Sequence, residues 1–155
     1  MTITTPAPAD PATADRVRAS FGLQHAMQLI RATLPVVGEG YTEIHLPHWE
    51  GVEQQHGFVH GGVVGMIADS AAGYAAMTLV PATASVLTVE YKLNLVAPAD
   101  GEQLIARGKV VRPGRTLLVT QAEVYAVKAG RETLCALMQQ TIMTVMRQEK
   151  PQGGA

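Results

Sequence analysis

From Ser85 onward the pattern of apolar and polar positions changes to that of strands, with four runs, 86–96, 102–111, 116–127 and 133–146, each long enough to cross a sheet. Between the runs stand Pro98-Ala99-Asp100-Gly101, Arg112-Pro113-Gly114-Arg115 and Lys128-Ala129-Gly130-Arg131, all rich in turn formers. Connections this short predict antiparallel hairpins, because a parallel crossover needs about a dozen residues. Nearer the start, Val17, Phe21, Met27, Ile30 and Leu34 recur at roughly helical intervals. They predict a helix over 15–34, capped by Thr13 or Asp15 and stopped by Pro35. A short strand is expected over 41–46, ended by Pro47. Residues 47–60 show no period and read as a loop.

The segment from Gly61 to Met77 breaks the pattern. It is long, nearly uncharged and full of Gly and Ala. A helix apolar on almost every side belongs inside a protein, and small side chains let a sheet wrap closely around it. The order is therefore a strand, a buried helix and an antiparallel meander, which is an α+β domain with a helix on one sheet face. One domain is expected over 15–147, between flexible tails at 1–14 and 148–155. There is no internal repeat.

Composition adds an expectation about assembly. The chain is 47% hydrophobic and 16% charged, against a usual charged share of about 25%. So much apolar material with so few charges predicts that subunit contacts hide part of it. Twelve basic and 13 acidic residues leave a net charge of −1 without blocks, which is not the basic stripe that nucleic acid requires. The opening MTITTPAPADPATAD lacks the features of a signal peptide, and no apolar run reaches the roughly 20 residues that span a bilayer. No membrane association and, by elimination, a cytoplasmic address are expected. The single cysteine, Cys135, lies in an apolar stretch and reads as core.

Candidate chemistry concentrates around Gln54-Gln55-His56-Gly57-Phe58-Val59-His60-Gly61-Gly62 and Asp69. Gly61 and Gly62 place bare amides at a helix start, where the first N–H groups have no partner in the helix. Such amides suit an oxyanion or a polarised carbonyl. Asp69 is a carboxylate in a greasy helix, so it must be paired, protonated, hydrated or functional. The bland alternative is an Asp that bonds a nearby loop. Gly61 and Asp69 lie roughly 12 Å apart along a helix at 1.5 Å per residue, too far to touch one reacting carbon. Either the helix starts late, or amide and carboxylate come from different subunits.

The stretch HGFVHGGVVGMIADSAAGYAA resembles the helix motif of the PaaI-type hotdog-fold acyl-CoA thioesterases, and TVEYKLNLVAPA is similar to the strand that follows it there. ARGKVVRPGRTLLVTQAEVYA resembles the family's next hairpin. Together the matches run over residues 36–146. The resemblance implies a hotdog fold, in which a long central helix is wrapped by a curved antiparallel sheet. It also implies a homodimer joined sheet edge to sheet edge, pairing again into a homotetramer. Asp69 would act on the thioester of an acyl-CoA or aryl-CoA as general base or nucleophile. Gly61 would offer its amide to the carbonyl across the dimer interface, Thr88 would hold water or the carboxylate, and His60 would steady the loop. Where the family commonly has Asn, this chain has Gln54, one methylene longer; Gln55 or His56 are the substitutes in reach.

Other motifs in the chain carry weaker chemistry. The spacings His45/His48 and His56/His60 invite a metal, but Gly57 argues against a helix there and no HExxH or cysteine accompanies them. No metal and no cofactor are expected. Ser70 has no nucleophile elbow, and Met66 and Met77 read as packing. Arg112 and Arg115 flank a turn; they are ordinary hairpin-tip cations unless a CoA phosphate lies near. A non-catalytic acyl-CoA-binding module and a 3-hydroxyacyl thioester dehydratase or hydratase are the rival functions on this fold.

Overall fold

In the computed structural model, which describes residues 6–146, a single six-stranded antiparallel sheet curls around one long helix. Two short helices come first, α1 (Pro11–Gly22) and α2 (His25–Leu29), then β1 (Thr33–Gly38) and β2 (Tyr41–Pro47). A 3-10 turn at Glu50–Val52 interrupts the loop before the central helix α3 (Gly61–Met77). The strands β3 (Ala84–Leu95), β4 (Gln103–Arg112), β5 (Leu117–Lys128) and β6 (Arg131–Met146) complete the chain. This is the α+β architecture expected. The proposed tail at 148–155 lies outside the described residues.

Three expectations need correction. The helix over 15–34 is two helices and a strand. The first starts at Pro11, because Asp10 rather than Thr13 or Asp15 is the cap, accepting from the Thr13 amide at 3.1 Å. The second closes with Arg31 in the left-handed region (φ 63°) and the Ala32 amide bonded to the Met27 carbonyl at 2.9 Å, a helix-stop geometry. Pro35, expected as a helix stop, sits inside β1, where an edge strand tolerates a missing N–H.

The third correction concerns topology. The sheet order is β1-β2-β4-β5-β6-β3, so β3 and β4 do not form a hairpin. β2 occupies the free side of β4, and β3 crosses to the opposite edge to pair with β6. A bulge at Val89 accompanies this pairing, with Thr88 opposite Ile142 but Glu90 opposite Thr141. The extra residue flips the alternation. Val86 and Thr88 face inward before it, and Tyr91, Leu93 and Leu95 share that face after it, while Glu90 and Lys92 turn outward.

The core lies between α3 and the inner sheet face. Ala68, Ala71, Ala72, Ala75 and Ala76 are fully buried beside Ile67, so the strands approach the helix backbone itself. Two glycines open the helix towards β3. A Cβ on Gly61 would stand 2.8 Å from Leu95 Cδ1, and one on Gly65 would stand 3.2 Å from Leu93 Cδ2. At the far end of α3, the Arg16 guanidinium donates to the carbonyls of Met77 (2.8 Å) and Val80 (3.0 Å). A cation there satisfies carbonyls the helix leaves open and suits its dipole. No helix among the described residues is long and apolar enough to cross a membrane.

Candidate active site

Asp69 occupies the middle of α3, where it meets inward-facing side chains of β3 and β6. Thr88 Oγ1 donates to Asp69 Oδ1 at 2.7 Å. The Gln140 side-chain amide donates to the same oxygen and lies 3.0 Å from Thr88 Oγ1. Behind it, Thr120 Oγ1 donates to Gln140 Oε1 at 3.0 Å. Gln140 and Thr120 are almost wholly buried, at 1% and 0% exposure. Asp69 Oδ2 makes no hydrogen bond among the described residues. The carboxylate opens on a cleft of about 350 Å³ between α1, α3 and β3. Gly73 and Met77 continue its floor one and two turns beyond Asp69, with Ser20, Tyr74 and Leu87 on the walls.

The other predicted residues gather at the N-terminus of α3. Gln54 and Gly61 line a second cleft of about 220 Å³ with Phe58 and Leu95. The Gly61 N–H has no protein partner among the described residues, as befits the first amide of a helix. The neighbouring amide is used: His60 caps the helix, its Nδ1 accepting from Gly62 N–H at 2.9 Å. Gly62, expected to meet substrate, therefore has its donor committed inside the chain. The Gln54 side-chain oxygen accepts from the His56 amide and closes a turn in which Gly57 has φ 80°. His56 is exposed on that turn. Arg112 ends β4 and Arg115 sits in the turn after it; neither lines either cleft. Among the described residues no group of His, Cys, Asp and Glu has a metal-binding arrangement.

Two features escaped sequence reading: Gln140 and Thr120. Gln140 falls in the inward series Ala136, Met138, Gln140, Ile142. A lone amide at a core position of an alternating strand is a signal that it has a buried polar partner. Nothing local says that this partner is Asp69, 71 positions earlier.

The separation of the two clefts follows from the helix itself. α3 begins at Gly61, which removes the late-starting helix as an explanation and leaves roughly 12 Å of rise between Gly61 and Asp69. Within one chain, the free amide and the carboxylate do not converge.

Comparison with known proteins agrees with this architecture. Residues 56–133 match the family model described as the thioesterase superfamily. A thioesterase family protein of Silicibacter pomeroyi is 42% identical over 87% of this chain and 99% of its own, with a TM-score of 0.85. A Bacillus halodurans protein solved with CoA shares the fold at 21% identity and a TM-score of 0.71, over 86% of this chain and 85% of its own. The PaaI protein of the Escherichia coli phenylacetic acid degradation operon shares it at 16% identity and 0.76, over 86% and 93%. That likeness concerns the fold and not the PaaI type in particular. Curated proteins of Saccharolobus solfataricus and Halobacterium salinarum, provisionally named esterases, are 31–32% identical over 55–63% of this chain. The chain spans 60–63% of their length. On the family match and the Silicibacter pomeroyi relative together, the chain belongs to the thioesterase superfamily.

Proposed function

We propose that this chain hydrolyses an acyl-CoA or aryl-CoA thioester at a PaaI-type site built across a homodimer. The observation that carries the reading is the Asp69 carboxylate, held by one oxygen and open by the other onto a cleft of about 350 Å³. The CoA held by the Bacillus halodurans relative supports the substrate class.

The chemistry needs few groups. Asp69 takes a proton from water, whose oxygen adds to the thioester carbon; in the alternative route Asp69 itself attacks that carbon and water then releases the acyl group. In either case the carbonyl oxygen becomes an oxyanion, and the open Gly61 amide of the opposite subunit receives it. The tetrahedral adduct collapses, the C–S bond breaks and CoA leaves as thiolate; in the first route it takes up the proton held by Asp69, and in the second the proton comes from the water that cleaves the acyl–Asp69 anhydride. Thiolate is a good leaving group, so a strong general acid is not required.

In this reading the second subunit docks on β3. β3 is an edge strand, and Leu87, Val89, Tyr91, Leu95 and Val96 along or just beyond it are each about half exposed. A long apolar edge of this kind pairs with another copy unless something protects it. Pairing β3 with its copy brings one chain's Gly61 end towards the other's Asp69 cleft, and two such dimers make the tetramer.

The test is thiol release from short-chain, long-chain and aromatic CoA esters. Asp69→Ala and Asp69→Asn should each lose about 100-fold or more on every substrate the native protein cleaves, with the fold intact by circular dichroism. An Asp69→Ala protein of native activity would sink the proposal.

A further inference from the structure

The hydrogens around Asp69 can be counted, and the count singles out one oxygen. Thr88 has one hydroxyl hydrogen, and it goes to Oδ1. The Gln140 amide has two, and three acceptors stand within reach of its nitrogen: Oδ1, Thr88 Oγ1 at 3.0 Å and, farthest, the Asp69 backbone carbonyl at 3.4 Å. Oδ1 thus receives two donors, which fills its in-plane acceptor positions, while Oδ2 receives none among the described residues.

The orientation of the Gln140 amide is itself determined. Turned over, it would set Oε1 against the carboxylate, acceptor against acceptor. In the orientation found, Thr120 Oγ1 donates to Oε1 from behind, so both ends of the amide are satisfied. Thr120 and Gln140 face each other across β5 and β6, and with both buried no solvent competes for the amide.

We propose that Gln140, oriented by Thr120, is a positioning residue that ties Asp69 down through Oδ1 and presents Oδ2 as the oxygen that meets water or the thioester. This rests on the reading of Asp69 as the hydrolytic carboxylate. Thr88 shares the hold on Oδ1 from an exposed position on an edge strand; Gln140 holds it from the rigid interior. Without the amide, the carboxylate keeps one donor and is free to rotate about its Cβ–Cγ bond, so the productive orientation is populated less often.

The test compares Gln140→Met, Thr120→Val and Thr120→Ser with Asp69→Asn in the thiol-release assay, with melting temperatures alongside. Gln140→Met preserves bulk. Thr120 keeps an acceptor when the amide is gone, because its hydroxyl lies 3.4 Å from the Gln140 backbone carbonyl. The expected result is a fall in kcat of about ten- to a hundredfold in Gln140→Met with KM within about twofold. Thr120→Val should fall less, Thr120→Ser should restore native kcat, and the Thr120→Val, Gln140→Met double variant should be no worse than Gln140→Met alone. Native kcat in Gln140→Met beside an inactive Asp69→Asn overturns the positioning role and leaves Asp69 standing. An active Asp69→Asn overturns the reading beneath it instead. Should Gln140→Met fail to fold, the Thr120 pair decides, and a Thr120→Val protein of native kcat overturns the proposal.

Discussion

Gly108 on β4 lies so close to Ala71 on α3 that a Cβ added to the glycine would stand 2.3 Å from the Ala71 carbonyl carbon. Beside it on β2, Thr42 pairs with Gly108 in register and its buried hydroxyl donates to the Ala71 carbonyl oxygen at 2.7 Å. One contact is an absence of atoms and the other a hydrogen bond, and both set the height of the helix over the sheet. Asp69 stands two residues earlier on the same helix.

Gly108→Ala is therefore expected to cost about 1–3 kcal/mol, the usual range for overpacking a core. The obstacle is backbone, so no side chain can swing aside. Urea denaturation gives the magnitude. Thiol release at a permissive temperature should fall as well, because a lifted helix moves Asp69 away from Thr88 and Gln140.

The exposed edge of β3 gives a prediction about assembly. Val89→Lys and Val96→Lys place charges on and just beyond the strand proposed to pair with its copy, away from both clefts, a change that blunts sheet edges. Light scattering should show the doubly substituted protein as a monomer with native circular dichroism. Its hydrolysis should be lost, since one chain does not bring Gly61 to Asp69. A fully active monomer would mean that the site is complete within one subunit.

A third prediction concerns acid stability. Burial pushes the Glu43 carboxyl up, but hydrogen bonds from Tyr41 (2.6 Å) and His45 and the charge and hydrogen bond of Arg107 outweigh it and hold the group below the ordinary glutamate value. A carboxylate depressed in the folded state adds stability that is complete above its unfolded value, about 4.3, and is lost as pH falls through the folded value. Melting temperatures of the native protein should drop between about pH 5 and pH 3. Part of that drop should be missing in Glu43→Gln, which starts from a lower plateau at neutral pH. Parallel curves for the two proteins would contradict this assignment.

Much of the fold is legible because it is written locally. The runs and turn formers that predict β4, β5 and β6, and the nearly uncharged run of small residues that predicts a buried α3, are properties of neighbouring residues. So is the odd carboxylate at Asp69. Periodicity does not say which edges meet. The turn before β4 reads as a hairpin, yet β3 pairs with β6, because β2 holds the other side of β4. The phase reversal at Val89 makes sense only once β6 is its partner. Pro35 reads as a helix stop because its missing N–H breaks helices, and the same absence is harmless on the sheet edge where it lies.

The candidate site divides along the same line. From the residues alone came a carboxylate in an apolar helix, unpartnered amides at Gly61, and a helical rise that keeps them apart. Tertiary structure decided that Thr88 and Gln140 converge on a single oxygen of Asp69, that Gly62 spends its amide on His60, and that α3 begins at Gly61. The physical reason is range. Backbone preference and hydrophobic period act over a few residues, whereas a buried hydrogen bond joins whichever groups the closed sheet brings within 3 Å, however far apart they stand along the chain.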